Sequence, residues 1–199
     1  KAGSALPAQP PVPAPLPQAV TTEAPRRPPE RKPEPLPQAA QVETIQKHYA
    51  IKQGDIELPT FPLFALFGTG MGMTCVIPDM DATRPAQVDP EKIIRTIHDF
   101  KVNSSFGSPA LWNTVSKYCL EKQIRLPTIK RILMAGAPVP GPLLKRFDSI
   151  LDKDCEIHTP YGATEALPIA SICRTEILGE TWSETEKGKG VCVGKAVPG

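Results

Sequence analysis

Residues 89–134 read DPEKIIRTIHDFKVNSSFGSPALWNTVSKYCLEKQIRLPTIKRILM, two helical patterns alternating with two short apolar runs. Asp89-Pro90 opens a helix with proline at its first position, where a missing N–H leaves no bond unmade. Ile93, Ile94, Ile97 and Phe100 then recur on one face at helical spacing. Val102–Phe106 reads as a strand. Ser108-Pro109 starts a second helix with Leu111, Val115, Tyr118 and Cys119 turned inward, and Ile129–Met134 reads as the next strand.

The alternation continues on both sides. Downstream, Gly141–Ile150 predicts a helix and Glu156–Thr159 a strand. Upstream, a helix begins at Gln38, with Ala39, Val42, Ile45, Tyr49 and Ala50 at helical spacing, and Gly54-Asp55 ends it. Leu58–Phe61 predicts a strand, Pro62–Phe67 a second helix, and Thr74–Ile77 a short β run after the glycines at 68, 70 and 72. Repeated strand–helix–strand units of this length imply an α/β fold, a mainly parallel sheet flanked by helices. In such sheets ligands bind at the loops beyond the strands' C-terminal ends.

Composition bounds the rest. The chain of 199 residues has room for one domain and an appendage, and a net charge of +2 gives no electrostatic footprint for a nucleic-acid polymer. Twelve of the 25 prolines fall before residue 38, in PAQPPVPAPLPQ and PRRPPERKPEPLPQ. At that density neither helix nor sheet forms, so 1–38 reads as a disordered, PPII-like tail and 39–199 as the folded part. The tail's PxxP spacing, as from Pro7 to Pro10, is that of an SH3- or WW-type ligand; a plain linker is the simpler reading. Five scattered cysteines with no CxxC argue for reduced, mostly buried thiols in a cytoplasmic protein rather than a disulfide frame or zinc site. No apolar run reaches the roughly 20 residues of a membrane span.

Three loops carry the chemistry: Phe106–Pro109, Ala135–Pro138 and Pro160–Glu165. Each combines small residues with proline after an apolar strand, which lets a ligand approach the backbone closely. The third adds an aromatic face (Tyr161), a hydroxyl (Thr164) and a carboxylate (Glu165). Such a set can stack on a base, donate to a phosphate oxygen and hold Mg²⁺. His48, His98 and His158 are scattered and read as surface or packing residues. GKGVCVGK at 188–195 lacks the phosphate-loop spacing and reads as a turn followed by a strand.

Tyr161-Gly162-Ala163-Thr164-Glu165 resembles the YGxTE signature of the adenylate-forming superfamily of acyl-CoA synthetases, nonribosomal adenylation domains and luciferases. Ala135–Pro138 resembles its GGAPL loop, Phe106–Leu111 its preceding pocket loop, and Pro62-Leu63-Phe64 its PLFH-type motif, in matching order and spacing. The wording of LPTFPLFALF, VIPDMDATRPAQVDP, FGSPALW and TPYGATEALPIA is similar to the fatty-acid CoA ligase-like enzymes of bacterial olefin biosynthesis, which convert a β-hydroxy acid to a β-lactone with ATP. The resemblance covers residues 39–199 and implies an incomplete large domain of such an enzyme.

It further implies ATP/AMP and Mg²⁺ as cofactors and a fatty or β-hydroxy fatty acid as substrate. CoA joins them in the ligase version, and other olefin-pathway enzymes are the implied partners. By motif, Thr164 and Glu165 would be catalytic, with Thr164 on the AMP phosphate and Glu165 on Mg²⁺. Gly136, Ala137, Pro138, Tyr161, Gly162 and Ala163 would line the nucleotide slot, and Phe64 and Ser108 the acyl pocket. Ala65 stands where many relatives have histidine after PLF, which fits the olefin subgroup. The superfamily's Ser/Thr/Gly-rich phosphate loop, ribose-binding Asp and lysine-bearing small domain have no counterpart here. The expectation is therefore a partial chain, truncated or frame-shifted upstream of residue 38, without useful adenylation activity in isolation. The alternative is a non-catalytic interaction protein, a proline-rich arm on a degenerate nucleotide-binding body.

Overall fold

The computed structural model describes residues 38–163 and 166–198, so the proline-rich tail up to residue 37, Thr164 and Glu165 lie outside the described residues. In chain order the elements are α1 (Gln38–His48), β1 (Ile56–Pro59), α2 (Pro62–Gly70), β2 (Thr74–Cys75), α3 (Pro90–Asp99), β3 (Ser104–Gly107), α4 (Pro109–Lys122), β4 (Arg131–Met134), α5 (Gly141–Arg146), β5 (Glu156–Ala163), β6 (Ala166–Cys173), α6 (Arg174–Glu176), α7 (Trp182–Glu186) and β7 (Lys195–Ala196). One sheet runs β2-β1-β3-β4-β5-β6-β7. The first five strands are parallel; β6 pairs antiparallel with β5, and β7 with β6. The α/β expectation holds, with an antiparallel margin added to the parallel sheet.

Side-chain alternation divides the strands between two cores. Leu58, Ile132, Met134 and Ile157 face α3, α4 and α5, where Ile93, Ile97, Leu111, Trp112 and Leu144 are fully buried. Phe106 and Leu133 face α1 and α2, packing with Ile45, Tyr49 and Met71. Burying each such side chain contributes about 1.5–3 kcal/mol, so helices cover both faces of the central strands. Helix starts follow local chemistry. The Asp89 carboxylate accepts from the Glu91 amide at 3.0 Å, and the Ser108 hydroxyl accepts from the Leu111 amide at 3.2 Å.

Several expectations need correction. α1 ends at His48, before Gly54-Asp55, because Ala50 takes a left-handed φ of 49° and leaves the helix exposed. α2 continues through Gly68-Thr69-Gly70. Glycine is required at 68, since a Cβ there would collide with the Glu57 carboxyl and the Cys75 thiol. Phe100 follows the end of α3 and is 56% exposed rather than inward. α5 stops at Arg146 and tightens into a 3₁₀ turn over Phe147–Ser149. Of the five thiols, all free, only Cys119 and Cys155 are buried, and Cys192 is exposed. The strand expected over Glu156–Thr159 runs on to Ala163, because β6 offers an antiparallel partner along that length.

Candidate functional site

The site forms where β4 and β5 end side by side. Beyond Met134 the chain turns through Ala135–Pro140, fixed at its start by the Ala135 amide donating to the Gly107 carbonyl at 3.1 Å. Gly136 turns with φ +88°, a conformation L side chains rarely adopt. Val139 is buried and anchors the loop, and Pro140 leads into α5. Across from this loop, β5 carries Thr159–Gly162, with the Tyr161 ring 55% exposed. The β5–β6 register shifts between Tyr161 and Ala163, an irregularity of the kind that re-aims a side chain at a strand end.

Between the two walls lies a cleft of about 320 Å³. Gly136, Ala137, Pro138, Tyr161 and Gly162 line it together, as expected from their motifs. The remaining site expectations fall elsewhere. Ala163 pairs with Ala166 in the hairpin and is not in the cleft lining. Phe64 lies on α2, its ring stacked on Phe106 with centroids 3.6 Å apart. It lines a separate narrow crevice with Tyr49, Phe67, Leu133 and Leu167. Ser108 is buried and its hydroxyl is engaged in capping α4. Thr164 and Glu165 are outside the described residues, and among those described no group of three or more His, Cys, Asp or Glu side chains gathers as a metal site. The three histidines stand outside the cleft lining.

A third wall was not anticipated. Val191, Cys192 and Val193, within the stretch read as a turn followed by a strand, also line the cleft. The turn-then-strand expectation is correct, with β7 at Lys195–Ala196. The available signal was an apolar tripeptide flanked by glycines at 190 and 194, both with positive φ. Among the described residues the cleft lining carries no charged side chain. A slot with an exposed aromatic, small residues and close backbone suits a planar heterocycle.

The crevice under α1 and α2 differs in character. Its walls are apolar except for Glu57, which is 4% exposed. Burial pushes this carboxyl up to about 7, against the opposing effects of Arg131 and the Cys75 thiol. Pro160 belongs to both the crevice and the cleft lining.

The family model described as "AMP-binding enzyme" matches residues 38–199. An olefin beta-lactone synthetase from Stenotrophomonas maltophilia is 45% identical over 157 residues, covering 79% of this chain and 28% of that protein. Its counterpart from Xanthomonas campestris pv. campestris is 43% identical over 157 residues, covering 79% and 27%. The chain thus spans little more than a quarter of the length of these relatives. Among solved structures, a nonribosomal peptide synthetase superposes with a TM-score of 0.65 at 16% identity, over 80% of this chain and 17% of that one, a likeness of fold.

Proposed function

The chain belongs to the AMP-binding enzyme family, and on that premise we propose that it is part of an ATP-dependent ligase that activates a fatty or β-hydroxy fatty acid as its acyl-AMP. The observation that carries this reading is the convergence of Gly136–Pro138 and Tyr161-Gly162 on one cleft. There the Tyr161 ring stacks on adenine and the backbone at Gly136–Pro138 approaches the base edge. Thr164 donates to the AMP phosphate, and Glu165 holds the Mg²⁺ that offsets phosphate charge when bound. The two β-lactone synthetase relatives favour a β-hydroxy acid whose hydroxyl closes onto the activated carbonyl.

Residues 39–199 supply the base-binding cleft. Attack on the α-phosphate needs charge stabilisation from several donors at once, and loss of one commonly costs ~10²-fold or more. Among the described residues the cleft lining supplies no charged donor. The chain by itself therefore binds AMP without turning over. Calorimetric titration with AMP, paired with an ATP–pyrophosphate exchange assay on a β-hydroxy fatty acid with and without CoA, tests both halves. Binding without exchange is expected; absence of AMP binding at millimolar concentration overturns the reading.

A further inference from the structure

A second cleft, of about 340 Å³, shares Pro138 with the first. Its walls are four prolines, Ala110, Leu143, Asn113 and Arg146, with no carboxylate among them. Arg146 is the last residue of α5 and is half-buried. Its Nε donates to the Ser116 hydroxyl at 3.1 Å, and its Nη2 donates to the Asn113 side-chain oxygen. The buried Ser116 hydroxyl is itself held to the Asn113 carbonyl at 3.3 Å.

These bonds fix the guanidinium plane against α4 and use only one edge of it. Among the described residues no acceptor pairs with Nη1, and no acid forms an ion pair with Arg146. The other well-buried arginines are neutralised: Arg131 meets Asp55 at 3.3 Å and Arg174 meets Asp148 at 3.1 Å. Arg146 is thus an oriented cation, half removed from water, on the wall of a cleft. Burial lowers its pKa, the direction expected where no anion is at hand. A planar fork held in this way is the side chain best matched to an oxyanion.

We propose that this cleft is a phosphate-binding site, in which the free edge of Arg146 receives the oxyanion beside the first turn of α4. The phosphate arrives either as the free ion or on an organic ester, and the prolines offer the ester's body an apolar wall. The site adjoins the base cleft at Pro138 and does not depend on what that cleft binds.

The test is an NMR titration of the 199-residue chain with inorganic phosphate and, separately, with phenyl phosphate. Saturable shifts of the Arg146 Nε–H and Asn113 side-chain amide resonances are expected. Arg146→Gln should weaken binding about tenfold or more by removing the charge-assisted bond. Because that change also removes the bond to Ser116, Ala110→Asp provides a second variant. It places a carboxylate at the exposed second position of α4, where helices tolerate acids, and should repel the anion without loss of thermal stability. Loss of binding in both variants supports the site. Unmoved resonances in the parent chain, or retained binding in either folded variant, overturn it. Equal affinity for the two probes identifies free phosphate as the ligand, and tighter binding of phenyl phosphate identifies an ester.

Discussion

The Cys75 thiol donates to the Glu57 carboxyl at 3.9 Å, and both groups stand against Gly68 of α2. A hydrogen bond of that length from a thiol does little to compensate a buried charge. Glu57 therefore favours its neutral form, with a pKa raised from 4.5 to about 7. A carboxyl raised on folding contributes stability that is complete below its unfolded pKa and is lost as pH rises through the folded one. Unfolding free energy should fall between pH 4.5 and 7 by up to about 3 kcal/mol from this group. Urea denaturation across that range measures it. Glu57→Gln should flatten this component, and an unchanged slope in the variant would show that Glu57 is not its source.

Gly68 makes that arrangement possible. A methyl group there meets both the Glu57 carboxyl and the Cys75 thiol, and the Glu57 side chain is buried. Gly68→Ala gains helix propensity of about 1 kcal/mol. Overpacking costs typically 1–3 kcal/mol, so the net effect should be destabilising. Coupling it with Cys75→Ala should recover part of the loss. An additive double mutant would mean that the strain lies elsewhere.

The parallel part of the fold was legible because its signals are local. Asp89-Pro90 and Ser108-Pro109 mark helix starts by capping chemistry, and the isoleucines of α3 mark its buried face. The antiparallel margin was not legible: β5 outruns Thr159 only because β6 returns beside it, with Tyr161 opposite Ala170. The cleft's two motif walls were legible for the same local reason, small residues and proline after an apolar strand. Its third wall was hidden, since Val191–Val193 reaches the cleft through the pairing of Lys195 with Ser171 on β6. The capping role of Ser108 is local chemistry, and it leaves the hydroxyl's own proton free to donate.

Ser108 accordingly separates two roles. As the α4 cap, its replacement by alanine should cost about 1 kcal/mol of stability. Ser108→Asp should restore most of it, because aspartate caps equally well. AMP affinity should be unchanged in either variant, since the side chain lies outside the cleft lining. A chemical-denaturation midpoint and a calorimetric titration on the same samples decide the matter. A loss of AMP affinity at constant stability would place Ser108 against the nucleotide.

Tyr161 and Cys192 give the cleft its sharpest test, because they stand on different walls and both are exposed. Stacking of a base on an aromatic ring is worth about 1–3 kcal/mol, so Tyr161→Ala should weaken AMP binding roughly five- to 150-fold. An exposed ring contributes little to the core, so the melting temperature should hardly move. The thiols supply an independent probe. Burial pushes Cys119 up to about 11 and Cys155 up to about 12, which leaves little thiolate near neutrality. Iodoacetamide should therefore label Cys192 well before either of them, and peptide mapping reads the order. Saturating AMP should slow labelling of Cys192 in the parent chain, with Tyr161→Ala losing that protection at the same AMP concentration. Labelling of Cys192 that is indifferent to AMP, in a chain that demonstrably binds it, would place the nucleotide outside this cleft.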